Sequence, residues 1–157
     1  MIVFTRATVA LVLITAPLTL YARPCEPTKS MSPGANYQVV TRQQANIGKG
    51  LRISGVVRAA RDCGPIAGAR VVHWQANNQG EFTEEMRAYL FADHKGQYTF
   101  STEWPGGDVP RIHFMVVAPG YKTLFTQWIG DEKTQSSVLN LILETAPAKP
   151  VDNLPVR

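Results

Sequence analysis

A chain of 157 residues can form one domain with a sizeable core. Its 45% hydrophobic and 18% charged composition is that of an ordinary globular protein. The formal net charge of +4 is mild. The basic residues are scattered, with no patch and no nucleic-acid motif, which argues against nucleic acid as a partner.

Residues 1–22 read as a secretory leader. Arg6 supplies the positive end, Ala7 to Leu20 the apolar stretch, and Tyr21-Ala22 a small residue for cleavage. Pro17 interrupts the apolar run, which is short for a membrane span. The expectation is an exported protein, secreted or periplasmic, with no stable membrane insertion after cleavage. Residues 23–50 are rich in Pro, Gly, Ser, Asn and Gln and read as an irregular arm. The two cysteines, Cys25 and Cys63, are an even count in an exported chain, which favours a disulfide over two unpaired thiols. The bridge would tie the arm to the loop before the Trp74 strand.

A β-domain is expected over 51–145. Leu51 to Arg58 alternates Leu51, Ile53, Gly55 and Val57, the period of a strand. After the Gly64-Pro65 turn signal, Ala69 to Asn77 carries Val71, Val72 and Trp74, which suit a pleated, half-buried surface. Glu81 to Met86 holds one helical turn or a loop. Arg87 to Ala92 and Gln97 to Thr102 are strands joined by the tight turn Asp93-His94-Lys95-Gly96. Trp104 to Pro110, W-P-G-G-D-V-P, is a loop. Arg111 to Ala118 and Tyr121 to Trp128 are strands flanking Pro119-Gly120, and Ser136 to Leu143 is the last strand. Residues 146–157 hold three prolines and read as a flexible tail. About seven short strands at near-regular spacing, with no helical period, predict an all-β antiparallel β-sandwich.

Several pieces recur in a recognisable order: P-I-A-G-A-R-V-V-H-W-Q-A-N at Pro65 to Asn77, R-A-Y-L-F-A-D-H-K-G-Q-Y-T-F at Arg87 to Phe100, I-H-F at Ile112 to Phe114, A-P-G-Y at Ala118 to Tyr121, and T-Q at Thr126-Gln127. Over Leu51 to Trp128, about half the chain, this resembles the intradiol ring-cleavage dioxygenases, the family of catechol and protocatechuate dioxygenases. The resemblance implies the same prealbumin-like sandwich. It also implies a ferric ion held by two tyrosines and two histidines, acting on aromatic diols.

Those ligand positions do not carry over intact. The family's histidines stand in H-I-H, two residues apart so that both project from one strand face. Here the run is Arg111-Ile112-His113. His113 matches the second histidine, and Arg111 occupies the place of the first. A guanidinium stays protonated and only donates. At about 4 Å from a cation it is repelled by roughly 4 kcal/mol per unit of ion charge, taking an effective dielectric of about 20. The first tyrosine position, eight residues after Trp74, is Phe82, and the loop from Glu103 to Pro110 contains no tyrosine for the second. Asp108 and Tyr89 are the available substitutes. The resulting expectation is no cofactor, with Fe(III) only if the family activity is retained.

The remaining candidates each have a plainer role to set beside a functional one. Gln127 matches a family glutamine near the iron pocket and would line it with Arg111; it is equally a polar strand-end residue. His73 shares a face with Val71 and Gln75 and reads as packed against the sheet. His94 lies in a turn and reads as solvated. Trp74 reads as core, with Trp104 the most exposed of the three tryptophans, the third being Trp128. No Ser-His-Asp or Cys-His arrangement is readable. Three classes of function remain: a binding module for a small aromatic or anionic ligand, with Arg111, Gln127, Trp74 and Phe82 as its walls; an active dioxygenase with an altered iron site; and a structural or envelope interaction protein. The residue chemistry favours the first.

Overall fold

The computed structural model describes residues 24–33, 36–131 and 134–148. The leader expected at 1–22 and the tail beyond residue 148 lie outside them. No helix among the described residues is long and apolar enough to cross a membrane. The elements are β1 (Leu51–Ala59), β2 (Arg70–Gln75), a single 3-10 turn (Glu84–Met86), β3 (Arg87–Phe91), β4 (Gln97–Thr102), β5 (Arg111–Val117), β6 (Leu124–Ile129), β7 (Ser136–Val138) and β8 (Leu141–Leu143).

Two four-stranded sheets face each other. One has the order β3-β2-β5-β6, antiparallel throughout. The other is built on β1, which pairs antiparallel with β4 and parallel with both β7 and β8. The sandwich is as expected, with two corrections. It is not wholly antiparallel, and the stretch expected as one strand from Ser136 to Leu143 is two. The break has a local cause. The Leu139 backbone crosses so close over Gly55 that any side chain there would collide with it. Leu139 N–H donates to the Ser54 carbonyl at 2.8 Å, the Tyr98 hydroxyl donates to the Leu139 carbonyl at 2.6 Å, and the Asn140 side chain accepts from Val56 N–H at 3.0 Å in place of a ladder bond. Similarly, the strand expected from Tyr121 begins at Leu124; Tyr121 makes only a bridge to Thr145.

Alternate residues fill the space between the sheets, among them Ile53, Val57, Val71, Phe100, Ile112, Phe114, Val116, Leu141 and Leu143, all buried. The strand β2 departs from alternation: five of its six residues, Val71 to Gln75, are buried. Its inner face meets the opposite sheet. Its outer face is covered by the N-terminal arm, so that Val40, Val72, Trp74 and Met115 form a second apolar cluster with Tyr37, Phe82, Tyr89 and Phe125 packed against it. Trp74 is therefore buried, but outside the inter-sheet core. The disulfide joins Cys25 to Cys63, and Cys25 N–H donates to the Ala60 carbonyl at 2.9 Å, anchoring the start of the arm beside the turn after β1.

Two polar residues of β2 point into the core. Gln75 is satisfied: it donates to the Glu103 carbonyl at 3.0 Å and accepts from the Thr102 hydroxyl at 2.9 Å. His73 is fully buried and stacked on Phe100 at 3.9 Å between ring centroids. Neither of its ring nitrogens has a hydrogen-bond partner. Desolvation alone pushes its pKa from 6.5 down to about 3.

Because the folded-state pKa of His73 is depressed, its neutral form is compatible with the fold above about pH 6.5, and stability is lost as pH falls from there toward 3. A shift of this size is worth about 5 kcal/mol at most. Urea unfolding followed across that range should show this loss, and His73→Leu should flatten the dependence whatever its effect at neutral pH; an unchanged slope would mean that other groups govern the acid limit. The bridge closes a loop whose ends are 38 residues apart, worth roughly 4 kcal/mol in the chain-entropy model. Cys25→Ser with Cys63→Ser should lower the unfolding midpoint accordingly, and a midpoint within error of the oxidised protein would show that the bridge constrains little.

Candidate functional site

The outer face of the β3-β2-β5-β6 sheet carries the site. Strand register sets Arg87, Trp74, His113 and Gln127 in one row across the four strands. One row along are Tyr89, Val72, Met115 and Phe125. On the other side, Arg111 stands opposite Ile129. The alternation that sends Ile112 and Phe114 inward therefore sends Arg111 and His113 outward together. They project from one strand face, as the spacing requires.

Arg111, His113, Trp74 and Gln127 line a cavity of about 180 Å³, whose far wall is Met31 to Pro33 of the arm and Phe125. Arg111 also borders an adjoining cavity of about 350 Å³, with Phe82, Ala76, Asp108 and the Gly106-Gly107 backbone. Arg111 thus borders both spaces. Trp74 lies nearly parallel to His113, with ring centroids 5.4 Å apart and planes 15° apart. The Phe82 ring approaches His113 at 6.1 Å between centroids, tilted at 46°. Burial, and then the Arg111 charge, lower the His113 pKa from 6.5, which favours a neutral imidazole.

Of the substitute ligands, Tyr89 is engaged elsewhere. Its ring lies under the Arg70 guanidinium at 4.0 Å and against Phe91 at 5.6 Å. Asp108 borders the larger cavity with Arg111 and Phe82. The tryptophans do not make one platform. Trp104 is the most exposed of the three, as expected, but only partly so: it packs edge-on against Trp128 at 5.9 Å and against the inter-sheet core. Trp128 is buried and its indole donates to the Ser137 hydroxyl at 3.0 Å. His94 is exposed in its turn.

Sequence reasoning missed two residues. Arg87 is 3% exposed, beside Trp74; its Nη1 donates to the Asn36 carbonyl at 2.7 Å. Its nearest acid, exposed Glu84, stands at 3.9 Å from Nε. Tyr37 lies edge-on to both Trp74, at 5.5 Å, and Phe125, at 5.6 Å. The available signal was the Val71-Val72-His73-Trp74 run, which lacks the polar alternation of a strand with one wet face and so requires cover on both.

No family model and no curated protein matches the chain. Solved structures do. The dioxygenase domain of a dioxygenase–carbohydrate-binding protein fusion from Streptomyces sp. SirexAA-E aligns with TM-score 0.68 and 22% identity over 77% of this chain and 100% of that one. An intradiol ring-cleavage dioxygenase from Tetranychus urticae aligns with TM-score 0.69 and 17% identity over 80% and 98%. Hydroxyquinol 1,2-dioxygenase from Pseudomonas putida DLL-E4 aligns with TM-score 0.65 and 15% identity over 78% and 68%. The chain has the intradiol dioxygenase fold.

On that fold, the donors that the resemblance implies for iron do not fit a ferric ion. A hard trivalent ion takes anionic oxygen and neutral nitrogen donors. His113 is bordered instead by the Phe82 ring, which has no oxygen, and by the Arg111 cation. Among the described residues, no group of three or more His, Cys, Asp and Glu side chains could hold a metal ion. The purified protein should be colourless and carry far less than one iron per chain. Arg111→His with Phe82→Tyr should gain measurable ferric affinity and visible absorption; stoichiometric iron in the unaltered protein would refute this reading of the donors.

Proposed function

We propose that this chain is an exported binding protein on the intradiol dioxygenase fold, taking a small aromatic anion where the family resemblance implies iron. The observation that carries the reading is Arg111, a half-buried arginine that borders two cavities, beside His113, which in turn stacks on Trp74 and meets Phe82. Arginine presents a planar fork of donors matched to a carboxylate. The Trp74 ring offers an apolar wall in the smaller cavity and the Phe82 ring one in the larger, and Gln127 adds a neutral polar group beside His113 in the smaller. The Cys25–Cys63 bridge supports an oxidising compartment, periplasmic or extracellular.

Benzoate is a suitable probe. Titration calorimetry should detect it, and Arg111→Ala should weaken binding about tenfold to a hundredfold, the worth of a charge-assisted hydrogen bond. The half-buried position of Arg111 predicts little change in melting temperature. Because His113 has a lowered pKa, it gains its proton only below about pH 6.5, and that added charge favours an anion. Affinity should therefore rise as pH falls through the lowered His113 pKa, and His113→Gln should flatten the profile. Failure to bind benzoate, or ring cleavage of catechol by the protein as purified, would overturn the proposal.

A further inference from the structure

The arm that covers the outer sheet face is held as a fixed part of the site. Its start is bonded through Cys25 to Cys63. Met31 N–H donates to the Phe125 carbonyl at 2.7 Å. The Asn36 carbonyl accepts from Arg87 at 2.7 Å, and the Val40 carbonyl accepts from Arg70 at 2.6 Å. Farther on, Gln44 N–H donates to the Tyr89 carbonyl at 3.0 Å and Tyr89 N–H donates to the Arg42 carbonyl at 2.9 Å. Burying the Arg87 cation is costly unless the charge is well solvated by protein. Its Nε has no hydrogen-bond partner. A buried cation bonded to an arm carbonyl marks this docking as specific rather than a loose wrap.

Two arm elements bear on the 180 Å³ cavity. Met31, Ser32 and Pro33 line it directly. Tyr37 stands behind it, wedged between Trp74 and Phe125, with its hydroxyl 3.4 Å from the Met115 sulfur. Tyr37 thereby fixes two rings that line the cavity. Met31 is 43% exposed, a large apolar side chain at the rim. An apolar cavity of ~150 Å³ accepts one benzene ring, so a space of about 180 Å³ is matched to a single ring.

We infer that the arm is the size-selecting wall of the aromatic site: Met31 closes the rim, and Tyr37 positions Trp74 and Phe125 so that one ring fits and a fused pair does not. This rests on the proposed aromatic-anion site and adds to it the determinant of ligand size. Neither Met31 nor Tyr37 lies in the stretch that carries the family resemblance.

The test compares benzoate with 2-naphthoate by titration calorimetry on the full oxidised protein. The unaltered protein should bind benzoate at least tenfold more tightly. Met31→Ala, at an exposed position that leaves folding intact, and Tyr37→Ala should each reduce or invert that ratio, mainly by gaining affinity for 2-naphthoate. Tyr37→Phe, which keeps the wedge, should retain the original preference. If both alanine variants bind the two acids in the original ratio, the arm is not the selecting wall, while the Arg111 site stands. If the unaltered protein binds neither acid, the aromatic-anion site falls and the wall with it.

Discussion

The burial of β2 on both faces is the constraint from which the rest of the structure follows. A strand reading Val71-Val72-His73-Trp74-Gln75 cannot leave either face in water without exposing a large apolar area. One face is met by the β1 sheet. The other has no second sheet, so the described residues between 24 and 50, which form no helix or strand, supply the cover. Because the strands neighbouring β2 are in register, the residues under that cover are Arg87, Trp74, His113 and Gln127, in one row. The site is the place where an irregular segment seals a regular one.

Much of this was legible in the sequence because strand alternation is a local property. Leu51 to Arg58 showed the period of two, turn signals bounded the other strands, and Arg111 and His113 could be placed on one face from their spacing alone. The division of Ser136 to Leu143 into β7 and β8 was not legible. Its cause is the passage of Leu139 over Gly55, a contact between residues far apart in the chain. The arm itself was legible as an irregular segment, but not where it docks. Among its hydrogen bonds, those from Arg70 and Arg87 run to backbone carbonyls, which accept whatever the side chain of that residue, so no pattern in residues 36–40 records them. Arginine ordinarily reads as surface. Here Arg87 is buried, and its charge faces the carbonyl of a segment that composition alone marks only as irregular.

Electrostatics separates this site from the one the resemblance implies. In place of a neutral donor, Arg111 contributes a permanent positive charge beside His113, and that charge helps keep the imidazole neutral. Phe82 offers the same ring as a tyrosine without its oxygen. The two substitutions act in the same sense: both make the space less welcoming to a cation and leave it suited to an anion with a flat apolar body. On the proposed reading, the walls stay and the sign of what they enclose is reversed.

The central claim is that Arg111 stands where a ligand's carboxylate binds. Crystals grown with 4-iodobenzoate would report on it directly through the anomalous signal of iodine. The account predicts a carboxylate paired with the Arg111 guanidinium and the ring held against Trp74, with iodine inside the cavity bounded by Met31 and Phe125. Iodine found only at other surfaces, or a metal ion bound at His113 with Arg111 turned away, would contradict it.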